Sequence, residues 1–205
     1  MTSSTVPERD RWNYNTHYYR LTDSAASGDA RTALDVGCGE GMLARRLRLT
    51  VPRVTGIDPD PSSIEAARAV SEDIDYICGD LFEHPFEPES FDVVASFAAL
   101  HHMDARRGLS RLAELVRPGG TLVVVSCARS EFPRDLVMEG VSFVAAHIQI
   151  RRHTMWDHES PVVWPPPASY REMRKLSAEL LPGSHFRRHL LFRYSIVWRK
   201  PNSVI

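Results

Sequence analysis

The run ALDVGCGEG brings one acid and three glycines together: Asp35, Gly37, Gly39 and Gly41. Glycines that follow a strand can take positive φ and let a ligand approach the backbone. Two more acids end apolar runs, Asp58 in TGID and Asp80 in ICGD. If these runs are adjacent parallel strands, the three carboxylates line the sheet edge beyond the strands' carboxyl ends, where such sheets bind ligands. There Asp58 can accept hydrogen bonds from both hydroxyls of a ribose, and Asp80 from an adenine amino group. Asp80 could instead cap a turn. A packed core needs no acid at any of these places, and together they suit an adenosine carrying a cationic amino-acid tail.

A second group follows the apolar run FDVVASF: Ser96, Phe97, Ala98 and Ala99, then Leu100, His101, His102 and Met103. A histidine just past such a strand end can take a proton from an oxygen or nitrogen nucleophile, because its pKa lies near the working pH. The bland alternative is that one imidazole bonds a backbone group at a helix start. A third group is WNYNTHYY, Trp12 to Tyr19, too aromatic for a frayed tail. On an α-helix Tyr14 and Tyr18 share a face, as do Asn13 and His17. Tyr14, His17 or Tyr18 would then cover the ligand, or the rings simply dock the segment.

These residues need elements to hold them. TALDV, RVTGID, IDYICGD, FDVVASF and TLVVVSC read as strands, each nearly unbroken in apolar residues. Between them GMLARRLRL, PSSIEAARAV and DARRGLSRLAELV carry helical spacing, and RPGG is expected to stop the last of these. Strand and helix in alternation imply a doubly wound α/β fold, with parallel strands covered on both faces. Phe132 to Arg152 and Ser169 to Leu181 read as two further helices. HFRRHLL and FRYSIVWRK read as two closing strands joined by a very short turn.

The motifs ALDVGCGEG, VTGIDPDPSSIEAAR, ICGDLFE, FDVVASFAALHHM and LVRPGGTLVVVS, in that order, resemble the class I S-adenosylmethionine (SAM)-dependent methyltransferases. Within them the pattern is similar to the small-molecule branch called methyltransferase type 11, over roughly Thr32 to Ser126. The resemblance implies a Rossmann-like, seven-stranded sheet of order 3-2-1-4-5-7-6, with strand 7 antiparallel and the two closing runs as strands 6 and 7. It implies that Gly37, Gly39 and Gly41 line the methionine part of SAM and that Asp35 holds its amino group, often through water. Asp58 would bind the ribose, and Asp80 and Leu81 the adenine. Cys38, Pro59, Ser96, Tyr14 and Tyr18 complete the expected cofactor site, with His101 and His102 as the candidate bases. A nicotinamide dehydrogenase also places an acid on strand two. Its loop is G-x-G-x-x-G, however, and the GD of strand three and the RPGG fit methyltransferases better.

Within this family, enzymes that act on amino groups of nucleic-acid bases or glutamine commonly end strand four with Asn or Asp, Pro-Pro and an aromatic. Ser96-Phe97-Ala98-Ala99 lacks that carboxamide and those prolines. The 205-residue chain has a net charge of -1, so it exerts no long-range pull on nucleic acid or anionic lipid. The expectation is therefore methyl transfer from SAM to an oxygen or nitrogen of a small organic acceptor, with S-adenosylhomocysteine as product. Carbon and sulfur are the remaining candidate acceptor atoms. A protein or RNA methyltransferase is disfavoured. A SAM-binding regulatory protein without turnover is not separated by these residues.

No apolar run approaches the roughly 20 residues of a membrane span, and the N-terminus has no apolar leader. The three cysteines, Cys38, Cys78 and Cys127, read as buried reduced thiols, which suits a cytoplasmic protein. His147, His153 and His158 are spaced irregularly for a metal, and none is expected. Trp156 and Trp164 could wall an apolar acceptor pocket. Arg171, Arg174, Arg187, Arg188 and Arg193 read as solvated faces. One domain is expected: residues 1–30 as an N-terminal cap, 31–127 as the SAM-binding core, and 128–205 as acceptor-site insertion and hairpin. Monomer and homodimer both stay open.

Overall fold

A computed structural model describes residues 7, 10–26, 28–156 and 163–202. Among them seven strands form one sheet: β1 (Thr32–Val36), β2 (Arg53–Asp58), β3 (Asp75–Cys78), β4 (Phe91–Phe97), β5 (Val116–Ser126), β6 (His185–Arg188) and β7 (Tyr194–Arg199). Their order is β3-β2-β1-β4-β5-β7-β6. β1 to β5 pair in parallel, and β7 runs antiparallel to both β5 and β6. The helices are α1 (Met42–Arg48), α2 (Pro61–Val70), α3 (Ala105–Leu115), α4 (Leu136–Arg152) and α5 (Tyr170–Leu180). This is the order the family resemblance implied.

The apolar strands are explained by cover on both faces. On one face Ala33, Val54, Tyr76, Val93, Ala95 and Val123 pack under α1, α2 and the N-terminal segment. On the other, Leu34, Ile57, Val94, Leu122, Val124 and Ile196 pack under α3 and α5. Leu109, Leu112 and Leu115 of α3 are fully buried there, each stabilising the fold by about 2 kcal/mol relative to exposure. Local chemistry starts the helices. Asp60 caps α2 by accepting from the Ser62 and Ser63 amides, with Pro61 in the first turn. Asp104 caps α3, and Ser169 with Glu172 forms a capping box on α5.

Four expectations need correction. RPGG does not separate α3 from the next strand: residues 116–120 already belong to β5. Val116 pairs with Phe91, and after a register shift Thr121 pairs with Val93. The extra residues form an irregularity inside an extended run, held by backbone bonds from Gly119 to Lys200 and back from Lys200 to Gly120. α4 begins at Leu136 rather than Phe132, because Asp135 turns back to accept the Glu131 amide at 2.7 Å. The first closing strand ends at Arg188, and residues 189–193 form the turn, with Leu191 and Phe192 both at φ +58°. Cys78 is exposed at the end of β3, unlike the buried Cys38.

The N-terminal segment also departs from the α-helix expected of it. The Asn13 side chain accepts from the Asn15 and Thr16 amides at 2.8 and 2.9 Å, which bends the chain there. A 3-10 helix then runs over Thr16–Thr22. Tyr14 lies outside it, so Tyr14 and Tyr18 share no helical face. No helix of the described residues is long and apolar enough to cross a membrane.

Candidate active site at the carboxyl edge of the sheet

The glycine loop is stitched to the end of β2. The amides of Gly37 and Cys38 both donate to the Ile57 carbonyl, at 2.9 and 3.2 Å, and the Gly41 amide donates to Cys38. The Gly39 amide donates to Asp58 Oδ2 at 2.9 Å. Gly37, at φ +71°, passes so close to β4's end that a Cβ would lie 2.3 Å from the Ala99 Cβ. Gly39 differs: nothing lies within 4 Å of its Cβ position, so its backbone edge faces open space. Gly41 is the N-cap of α1, buried beneath the Tyr76 hydroxyl.

Asp35 is 1% exposed at the end of β1. It supplies the cap that Gly41 lacks, since the Ala44 amide in the first turn of α1 bonds its carboxylate. Its Oδ2 is buried and has no hydrogen-bond partner among the described residues. Burial, and then the charge of Asp58, push the Asp35 carboxyl up to about 8. An unsatisfied acidic oxygen beside an open glycine backbone is what an ammonium group would relieve. Asp58 accepts from Gly39 and, through Oδ1, from the Asp60 amide at 3.0 Å. Each oxygen retains acceptor capacity for a diol. These residues fit the methionine end and ribose of SAM.

The remaining candidates divide. Asp80 is exposed, and its Oδ1 accepts the Phe82 amide at 2.7 Å, the turn-capping role. That leaves Oδ2 for a ligand. The Leu81 side chain belongs to the core under α3. The Cys38 side chain is buried beside Gly56, and burial raises its thiol pKa. Only its backbone lies in the loop. Pro59 is exposed at the β2 end. Ser96 is fully buried, its hydroxyl has no partner among the described residues, and the alternation of β4 turns it to the face opposite Asp35.

Beyond β4, Ala98 takes φ +58° and its amide bonds Val125, so the chain turns sharply into a short 3-10 helix, Leu100–His102. The two imidazoles lie 4.1 Å apart, their planes tilted by 41°. His102 is exposed and feels the charge of Asp58. His101 is half-buried, with Nδ1 3.0 Å from the Ser126 hydroxyl. Burial, His102 and Arg193 lower its pKa to about 4, so it is neutral at pH 7. Ser126 is also in hydrogen-bonding reach of the Tyr194 hydroxyl.

The aromatic segment packs on the hairpin, and Arg11 just before it pairs with Glu40 of the glycine loop at 3.2 Å. Tyr18 is buried and donates to the Leu190 carbonyl at 2.7 Å. His17 accepts from the Trp12 indole at 3.3 Å. Tyr14 is half-buried, with its ring 5.7 Å from the Arg193 guanidinium. The aromatic that reaches the end of β4 is Tyr19, edge-on to Phe97 at 5.3 Å. Neighbouring tyrosines are indistinguishable in sequence here, because the 3-10 geometry, not an α-helical period, sets which one points inward.

Two more readings change. Trp156 is buried and its amide donates to the Trp12 carbonyl, whereas Trp164 is 73% exposed. Arg188 and Arg193 are not solvated like Arg171, Arg174 and Arg187. Arg188 pairs with Asp135 and Glu139 of the α4 start, and Arg193 donates to Asn15 of the N-terminal segment. His147 packs on Phe143 and His153 stacks on Trp12, while His158 lies outside the described residues.

Comparison with known proteins agrees with this geometry. The methyltransferase domain family matches residues 34–124. A protein of Mycobacterium tuberculosis described as an uncharacterized methyltransferase is 39% identical over 193 residues, covering 93% of this chain and 98% of its own length. A ubiquinone biosynthesis O-methyltransferase of Bradyrhizobium is 34% identical, covering 54% of this chain and 46% of its own. Among solved structures, the Haemonchus contortus phosphoethanolamine N-methyltransferase 2 complex with S-adenosylhomocysteine superposes with a TM-score of 0.64. The identity is 14%, over 93% of this chain and 53% of that one. The sheet order, the glycine loop tied to Asp58 and the relative matched along nearly its whole length place this chain in the class I SAM-dependent methyltransferases.

Proposed function

We propose that this enzyme moves the methyl group of SAM to an oxygen or nitrogen of a small organic acceptor. The observation that carries the acceptor class is the end of β4. Ser96-Phe97-Ala98-Ala99 turns at Ala98 straight into the Leu100–His102 helix. The residues there offer no carboxamide and no proline carbonyls to clamp a planar amino group of a base or peptide. The near-neutral charge of the chain supports the same reading. So do the relatives named as a ubiquinone biosynthesis O-methyltransferase and a phosphoethanolamine N-methyltransferase.

In this reading Asp35 receives the ammonium of the cofactor, Asp58 its ribose hydroxyls, Asp80 Oδ2 its adenine amino group, and the Gly39 backbone edge its amino-acid stem. Bound SAM supplies an electrophilic methyl on a sulfonium that is already a good leaving group. The protein contributes chiefly alignment of the acceptor, at about 3 Å and in line. In this reading the neutral His101 imidazole takes a proton from the acceptor; its hydrogen bond to Ser126 supports the role.

The test has two stages. Calorimetry with S-adenosylhomocysteine establishes the cofactor site. The protein is then incubated with methyl-labelled SAM and a cell extract. Label in products that pass a small-pore filter is expected, and label confined to acid-precipitable protein or RNA would refute the acceptor class.

A further inference from the structure

Arg193, just before β7, is a cation without an acid among the described residues. Its Nε donates to Asn15 Oδ1 at 2.8 Å and its Nη1 to the Phe192 carbonyl at 3.3 Å. The Tyr14 ring lies 5.7 Å from the guanidinium carbon. These two bonds use two of its five N–H donors. No carboxylate pairs with it among the described residues, whereas the neighbouring Arg188 has both Asp135 and Glu139. Surrounding structure takes it largely out of water and disfavours its charge.

Its position in the sheet gives the missing anion a role. Arg193 directly precedes Tyr194, which pairs with Ser126 at the carboxyl end of β5. Ser126 holds His101, and the charge of Arg193 is felt at that imidazole. The cation therefore stands on the far side of His101 from Asp58 along the sheet, beside the imidazole that takes the acceptor's proton in the proposed function. A purely structural clamp between the N-terminal segment and the hairpin accounts for the Asn15 and Phe192 bonds. It leaves three donors of a planar fork unused and open to a ligand, with no acid on them among the described residues.

We propose that Arg193 anchors the methyl acceptor, and that the acceptor carries an oxyanion, a carboxylate or a phosphate monoester, bound by the free guanidinium N–H groups beside His101 and Tyr14. This assignment rests on the methyltransferase reading and names its substrate class.

The experiment uses the complex with S-adenosylhomocysteine. Sodium benzoate, inorganic phosphate and uncharged benzamide are each titrated into the full-length protein by calorimetry. The wild type takes up benzoate or phosphate. Arg193→Gln weakens that anion at least tenfold, with S-adenosylhomocysteine affinity retained and benzamide no better bound by the wild type than by the variant. A response to benzoate alone assigns a carboxylate, and to phosphate alone a phosphate monoester. Arg193→Lys, which keeps the charge and loses the fork, weakens the anion at least threefold and serves if the glutamine variant fails to fold. Wild-type protein that binds S-adenosylhomocysteine but neither anion overturns the proposal. So does anion binding that is unchanged in the folded variants. Failure to bind S-adenosylhomocysteine would instead remove the cofactor site itself.

Discussion

The carboxylate of Asp58 accepts the amide of Gly39 at 2.9 Å, so the acid that ends β2 and the loop that follows β1 form one unit. Asp58 is thus a strut as well as a ligand group. Asp58→Ala should lower S-adenosylhomocysteine affinity at least tenfold, about 1.4 kcal/mol, by removing the diol acceptor and freeing the loop. Asp58→Asn has one acceptor oxygen for the amides of Gly39 and Asp60, so it should keep only one of the two bonds and lose some stability along with ribose affinity. Calorimetry with paired thermal melts separates the two effects.

Asp35 makes stability and cofactor affinity move oppositely with pH. Its folded pKa, about 8, lies above the ordinary carboxyl value of 3.8. Below pH 4 it is protonated folded or unfolded and has no effect. Between pH 4 and 8 only the unfolded chain ionises readily, so the ligand-free protein should lose stability as pH rises through that window. Asp35→Asn should flatten this slope in melts from pH 5 to 8.5. Binding of an ammonium-bearing cofactor should strengthen over the same range, and the variant should bind it at least tenfold more weakly at pH 8.

Gly37 and Gly39 should fail differently as alanines. At Gly37 the new methyl meets Ala99 at 2.3 Å in a left-handed backbone, which should destabilise by about 2–4 kcal/mol. Ala99→Gly in the same chain should restore part of it, by relieving the contact but not the φ strain. At Gly39, where the Cβ position is open, the loss should be about 1 kcal/mol, while S-adenosylhomocysteine affinity falls because the methyl projects into the ligand's space. Denaturant melts of the three variants check this.

His101 should remain neutral far below the usual histidine range. Its pKa near 4 means that the unfolded chain takes up the proton first as pH falls below 6.5, so this group weakens the fold under acid conditions. A nitrogen-detected NMR titration should place its midpoint below 5. Ser126→Ala, which releases Nδ1, should shift the tautomer signals without moving those of the exposed His102. A His101 midpoint near 6.5 in the wild type would contradict the burial described.

Much of this protein was readable along the chain because it depends on local pattern. Apolar runs of strand length, helix caps such as Asp60 and Asp104, and acids directly following strands depend on neighbours a few residues away. They mark the doubly wound core and bring Asp35, Gly39 and Asp58 to one edge before any coordinate is known. The acceptor side is different, since its decisive contacts join residues far apart in sequence. Arg193 meets Asn15 across 178 positions, and Tyr18 meets Leu190 across 172. In sequence Arg193 is one of several arginines with nothing to distinguish it from Arg187, which stays exposed. Only the folding of the hairpin against the N-terminal segment decides which cation is drawn in from the surface and which tyrosine is buried, because desolvation is a property of packed neighbours and not of spacing.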